Sequence, residues 1–354
     1  MGAHDLDAKV ARPPDLEWCH AIVSDVSRTF AITIEVLDEP MASRICLGYL
    51  LCRIADTIED AREIPPAVKV ELLDTFDSVL SESADISPSS FVNEVRRWIP
   101  EGAKSDPEWR LVLETPRVIR TFETRTEATK TAMRQPMREL VQGLRLFVDR
   151  HADSNGLRIQ SRDELEEYCH YAAGTVGALI TNLITVESPD APEAQLDDRG
   201  HAFGVLLQLV NISKDVYDDF HHENNVYLPA SWLADEGVDP ESVCSPTNRA
   251  GSAAVVRRTV GFARSFIADA ETYLREAPFK NEKALAAWAI PFLLAIGTMR
   301  ELSRRPADAV APGAVKIERE EVMAIIHAVS EDPCIETIEH LTEHVANESL
   351  GTGN

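Results

Sequence analysis

Two groups of carboxylates in this chain have a spacing that suits one chemistry. The first is Arg53-Ile54-Ala55-Asp56-Thr57-Ile58-Glu59-Asp60, in which Asp56 and Asp60 are four residues apart and Arg53 precedes Asp56 by three. On a helix these three share one edge. The second runs Gln208-Leu209-Val210-Asn211-Ile212-Ser213-Lys214-Asp215-Val216-Tyr217-Asp218-Asp219. Here Gln208, Asn211, Asp215 and Asp219 form one polar stripe, while Leu206, Leu209, Val210, Ile212 and Val216 occupy much of the remaining surface.

Like charges four apart cost a helix roughly 0.2–0.5 kcal/mol per pair. Beside an apolar core they cost far more unless cations compensate. Magnesium compensates, because it takes oxygen ligands, typically one or two carboxylates together with substrate phosphates. Two facing rows would hold several such ions, with manganese as a substitute, and clamp a diphosphate between them. The ions would stabilise that diphosphate as it leaves carbon. Departure from an allylic carbon gives a delocalised cation, which a dry, mostly apolar cavity protects. One such aspartate pair in so acidic a chain would read as a solvated helix face. Two of them on apolar helices, one with Gln and Asn in phase, point to metal and diphosphate.

The elements that must position these groups are helices. Apolar residues recur at helical spacing over residues 15–36, 42–60, 129–151, 162–186, 200–220, 253–276, 282–304 and 318–329, and convincing alternating strands are few. Pro65-Pro66 opens another helix. Residues 81–90, 187–199 and 306–313 read as interhelical loops rather than domain linkers. The expectation is an all-α protein with one helical domain over 1–354 and a core from about 15 to 347.

Composition narrows the function. Asp and Glu total 59 against 35 Lys and Arg, a formal net charge of −24. Such a surface repels nucleic-acid phosphates and anionic lipid headgroups, so neither is expected as an electrostatic partner. Arg supplies most of the cations, a balance suited to high salt, where screening relieves self-repulsion. Cys19, Cys46, Cys52, Cys169, Cys244 and Cys334 include no C-x-x-C pair, which fits a reduced cytoplasm. His221 and His222 lack partners at a zinc-ligand spacing. No signal peptide is expected. The apolar run 284–299, interrupted by Pro291, falls short of the roughly 20 residues that span a bilayer and reads as a buried core helix.

At the carboxylate clusters the chain resembles the squalene and phytoene synthase family of head-to-head prenyl synthases, over roughly residues 18–326. Ser27-Arg28-Thr29-Phe30 resembles the family's diphosphate-contacting segment, and Asp56-Thr57-Ile58-Glu59-Asp60 its first aspartate-rich motif. Tyr168-Cys169-His170-Tyr171-Ala172-Ala173-Gly174-Thr175-Val176-Gly177 is similar to its central helix. The stretch from Asn211 to Asp219, followed by Val226-Tyr227-Leu228-Pro229, matches the second motif and its exit. Within the family, Tyr-Cys-His-Tyr, Ala289-Ile290-Pro291 and Ala314-Val315-Lys316-Ile317 look like squalene synthases, whereas Ala-Gly-Thr-Val-Gly and Tyr-Leu-Pro also occur in phytoene synthases.

The resemblance implies an isoprenoid synthase-type helical bundle around a central cavity. It also implies a two-step reaction: two farnesyl diphosphates give presqualene diphosphate, which is then reduced by NADPH to squalene. Phytoene or dehydrosqualene synthesis is the sister activity, and a non-catalytic binding protein on the same fold is a further alternative. By position, Asp56, Asp60, Asp215 and Asp219 are implied magnesium ligands, with Glu59 supporting. Ser27, Arg28, Arg53 and Lys214 are implied diphosphate contacts, Gln208 and Asn211 line the site, and Tyr171 handles the proton lost as the cyclopropane closes. Tyr171 shares a face with Gly174, Thr175 and Ala178, whose small size leaves room for an isoprenoid chain or for a close-packed helix. Lys316 and Asn225 are implied cofactor contacts. A water-insoluble product implies transient contact of a cytoplasmic enzyme with the inner membrane face. Three positions depart from the family's pattern: Lys214 and Asn225 stand where Arg is usual, and Ala287-Trp288 replaces a Phe-containing pair. A lysine meets phosphate as a point charge, without the bidentate fork.

Overall fold

The computed structural model describes residues 12–82, 86–154, 156–189 and 196–351, except the side chains of Arg28, Thr29 and Lys104. No β-strand occurs among the described residues; a single parallel bridge joins Arg158 to Val226. One contiguous cluster of buried apolar side chains runs from Cys19 to Val345 and ties the helices together.

The helix Met41–Asp60 shows how burial sorts its side chains. Only Arg44, Tyr49, Arg53, Asp56 and Asp60 are partly open, and every other residue of the helix is buried. The open residues recur every three to five positions, so they form one seam on a helix otherwise enclosed by protein. The helix Leu196–Lys214 opens at Gln208, Asn211 and Lys214 while Phe203, Val205, Leu206, Leu209, Val210 and Ile212 are buried. These two helices are not a closely packed pair. Between them lies Arg162–Glu187, whose segment Thr175–Glu187 packs on both.

Glycines set the distance between Arg162–Glu187 and Leu196–Lys214. A β-carbon on Gly177 would fall 2.0 Å from the carbonyl oxygen of Gly200, and one on Gly204 would fall 2.1 Å from that of Ala173. The backbones therefore touch, and the small residues after Tyr171 serve helix packing. Gly174 is filled from outside by the His201 ring, 2.4 Å from where its β-carbon would be.

Several expected helices are broken. The stretch 15–36 divides into Pro14–Val26 and Arg28–Val36. Ser27 adopts an extended conformation between them, and its hydroxyl accepts from the Phe30 amide as an N-cap. The stretch 200–220 ends at Lys214, because Asp215 leaves helical geometry at φ −101°, ψ 10°. Val216–Asp218 then leads into a wide π-type turn, Asp219–Glu223. A second such turn, His170–Gly174, interrupts Arg162–Glu187. Residues 253–276 divide into Arg249–Arg264 and Ile267–Glu276. The expected loop 81–90 already starts the helix Pro88–Val95, capped by Ser87. The helix Ile335–Asn347, in which Ile335, Ile338, Leu341 and Val345 recur at helical spacing, lies beyond the expected helices.

The helix Glu282–Arg304 is 23 residues long, longer than its uncharged run, and 83% of its most apolar window is buried in the bundle. It and Arg162–Glu187 are long and apolar enough to cross a membrane, yet both pack within the bundle. All six cysteines are free thiols.

Candidate functional site

The two carboxylate rows meet at their C-terminal ends. Arg62, just past the first row, donates to the carbonyl of His221 in the wide turn of the second, at 3.0 Å. The carboxyl of Asp60 lies close enough to Glu59, Glu223 and Asp219 for each of them to feel it. The clustering is costly without counter-ions, and the carboxyls register it. Burial pushes Asp56 up to about 7 against the pull of Arg53, with Asp60 and Glu108 adding to the push. Burial, then Asp60 and Asp219, carry Glu223 up to about 10. Burial, then Asp215 and Asp60, hold Asp219 well above the carboxylate range, and burial with Asp60 does the same to Glu59. These are the shifts expected of acids crowded together in a poorly solvated place.

The donor set fits a hard divalent cation. Glu59 is 1% exposed and its Oε1 has no hydrogen-bond partner, a cost that a cation or its water would remove. Among the described residues no three His, Cys, Asp or Glu side chains form a ready-made metal cage. Magnesium needs none, since it keeps waters and takes phosphate oxygens beside one or two carboxylates.

The cations sit at the margins of the rows. Arg53 pairs with Glu108, at the start of the helix Pro107–Leu113, and its buried Nε has no partner. Lys214 pairs with its neighbour Asp215. Lys69 donates to the carbonyl of Glu59. Ser27 approaches the first seam: its hydroxyl bonds the Tyr49 phenol, and Phe30 stacks on Tyr49 with ring centroids 4.4 Å apart. Arg28 lies outside the described side chains. Gln208 is half-buried and Asn211 exposed on the helix of the second row.

Tyr171 lies on the wide turn His170–Gly174, half-buried, with its ring against Gly143 and edge-on to Phe147. One turn earlier, Tyr168 backs the first row. Its phenol donates to Tyr227 at 3.2 Å, and burial followed by the charge of Glu59 raises both phenols well above their ordinary range. Asn225 is 3% exposed. It accepts from the Leu157 amide at 3.0 Å and donates to the Tyr227 oxygen at 3.1 Å, so both ends of its amide are spent within the chain. Asn225, expected at a cofactor contact, here knits the exit of the second row to residue 157. Lys316 is exposed on the segment before Arg319–Glu331, where its carbonyl accepts from Arg305. A cavity of about 650 Å³, lined by Arg12, His20, Ile34, Leu37, Lys283 and Ala286 among others, contains neither row.

Comparison with known proteins matches residues 23–321 to the Squalene/phytoene synthase family model. The chain belongs to that family. It is 25% identical over 323 residues to squalene synthase of Schizosaccharomyces pombe, covering 90% of this chain and 66% of the yeast protein. It is 26% identical over 340 residues to human squalene synthase, covering 91% and 72%. Presqualene diphosphate synthase of Botryococcus braunii is 28% identical over 216 residues, 61% of this chain and 48% of that protein. Among solved structures, the TcSQS complex with BPH1237 superposes with a TM-score of 0.75 at 24% identity over 94% of this chain and 98% of that one. A dehydrosqualene synthase superposes at 0.61 and 17% identity over 93% of this chain and 97% of that one. At these identities the superpositions establish the shared all-α fold.

In this squalene/phytoene synthase family member, several residues that meet the two carboxylate rows lie outside the two aspartate motifs. Glu223 continues the four-residue step of Asp215 and Asp219, a visible signal hidden by the break at Asp215. Glu108 and Lys69 come from other helices and carry no local signal. Tyr49 lies on the first seam, four residues before Arg53.

Proposed function

We propose that this chain joins two molecules of farnesyl diphosphate head to head and that its product is squalene. The observation that carries the condensation is the meeting of Asp60 with Asp219 and Glu223 beside the partnerless buried oxygen of Glu59. The squalene reading is supported by the yeast and human relatives matched along 90% and 91% of this chain.

Asp56, Asp60, Asp215 and Asp219 hold magnesium, with Glu59 behind them. Bound there, the metal supplies charge stabilisation to a departing diphosphate. Arg53, Ser27 and Lys214 bind diphosphate oxygens and orient the scissile carbon. Gln208 and Asn211 line the approach. The buried apolar faces of Met41–Asp60 and Leu196–Lys214 exclude water that would quench an allylic cation. Tyr171 takes the proton lost on cyclopropane closure, its ring fixed by Gly143 and Phe147.

Of the two residues expected to contact NADPH, Lys316 is exposed, whereas Asn225 is buried and bonded to Leu157 and Tyr227. The burial of Asn225 favours a second reading, a head-to-head synthase that works without reductant and makes dehydrosqualene, or phytoene from a longer substrate. The deciding experiment incubates the full chain with farnesyl diphosphate and magnesium, with and without NADPH, with geranylgeranyl diphosphate in parallel, and identifies the lipid by mass. Squalene that depends on NADPH is expected. Phytoene from the longer substrate alone, or one farnesyl-derived hydrocarbon regardless of NADPH, overturns the squalene assignment. The absence of any condensed product overturns the condensation itself.

A further inference from the structure

Of the two guanidiniums on the open seam, Arg44 pairs with Glu187, and Arg53 is the one beside Asp56 and Asp60. It is not idle. Its Nη2 is bonded to Oε1 of Glu108, which comes from a different helix and is 37% exposed, against 27% for Arg53. Glu108 also bears on Asp56 and on Tyr49, so its carboxylate stands within the first cluster. The Nε of the same guanidinium is buried with no partner. Arg53 thus has one edge satisfied by an exchangeable carboxylate and one donor still unmet.

We propose that Glu108 is a built-in stand-in for the substrate's diphosphate, holding Arg53 in the substrate-free protein and yielding it when a diphosphate arrives. This rests on the reading that Arg53 contacts diphosphate. An Arg held by a carboxylate keeps its position without a ligand, and an oxyanion of higher charge can replace that carboxylate bond for bond. Glu108 is at the surface, so its release into water costs little, while keeping it beside a bound diphosphate costs repulsion. The exchange protects the seam against weaker anions, because each must first displace Glu108. It therefore sets a threshold of affinity and a preference for multiply charged ligands.

The test titrates inorganic pyrophosphate, with magnesium present, into the full-length chain and into Glu108→Gln, Arg53→Gln and the double variant, with circular dichroism confirming the fold of each. Glu108→Gln should bind pyrophosphate about two- to fivefold tighter, the factor expected of a partly exposed ion pair. The gain should vanish when Arg53 is already Gln. Unchanged or weaker binding in Glu108→Gln overturns the proposal, as does a gain that persists without Arg53, which would mark a general field effect. The two readings fail separately. Pyrophosphate exchange at Arg53 without any condensed lipid sinks the proposed activity alone, and condensed lipid with no response to Glu108→Gln sinks the exchange alone.

Discussion

The ring of Tyr171 occupies the space a β-carbon on residue 143 would need: such a carbon on Gly143 would fall 2.1 Å from Tyr171 Cγ. The helix Glu127–Arg150 therefore fixes this tyrosine by lacking a side chain at one position. Gly143→Ala should displace the ring while leaving the helix intact, since alanine is the better helix former. A shift of about 1 Å in a catalytic group costs on the order of 100-fold in rate. Turnover should fall by that order with the far-ultraviolet dichroism unchanged. Near wild-type turnover would separate Tyr171 from the chemistry.

Proton binding by the crowded acids makes stability depend on pH and on magnesium. Asp56 is raised to about 7 and Glu223 to about 10 in the folded chain. Below the ordinary carboxylate range both states are protonated and nothing differs. As pH rises from about 4 through about 7 the unfolded chain loses protons that the folded apoprotein keeps, so the apoprotein loses stability over that window. Magnesium competes with those protons. Urea denaturation should show a larger magnesium stabilisation at about pH 8 than at about pH 5.5, and Asp219→Asn should shrink the difference. Equal stabilisation at both would argue that the ions bind elsewhere.

The chain's end is fastened through a buried ion pair. Arg300 meets Glu321 through two bonds of 2.7 and 2.8 Å, donates to the carbonyls of Val345 and Glu348, and Glu321 accepts from the Leu350 amide. Glu321→Ala takes the two-bond partner from a buried guanidinium and leaves it Glu301, at 2.9 Å from Nε, so it should cost about 3 kcal/mol by urea denaturation, the low end for a broken buried pair. Arg300→Met with Glu321→Leu should cost less than the single change, because both charges leave together. A single-variant cost below about 1 kcal/mol would show that water reaches the pair.

A net charge of −24 predicts a response to salt. Screening shortens from about 10 Å at 0.1 M to about 3 Å at 1 M, so the melting temperature should rise by several degrees as potassium chloride approaches molar levels. A flat or falling curve would remove the high-salt reading of the composition.

How much of this was legible in the sequence depends on range. Glu282–Arg304 follows from periodicity, because that signal is local. The seam of Arg53, Asp56 and Asp60 follows from helix geometry. The breaks at Ser27 and Asp215 were harder, since a residue that caps or kinks looks the same in a list as one that faces solvent. Glu108 and Lys69 were invisible because they reach the site across helices. The burial of Asn225 was not legible, because motif position says where a residue stands in the chain, while its bonds to Leu157 and Tyr227 say where its amide goes.

The wide turn at His170–Gly174 carries one residue beyond the α-helical count. Because the wide turn absorbs that residue, the helical segments on either side stay close to the phase of an unbroken helix, so shortening the turn by one would leave Tyr168 facing Tyr227. The same loss from the regular turns after Gly174 would rotate everything upstream by about 100° and swing Tyr168 off Tyr227 and away from Glu59. This short stretch is therefore where the long helix best tolerates a change of length.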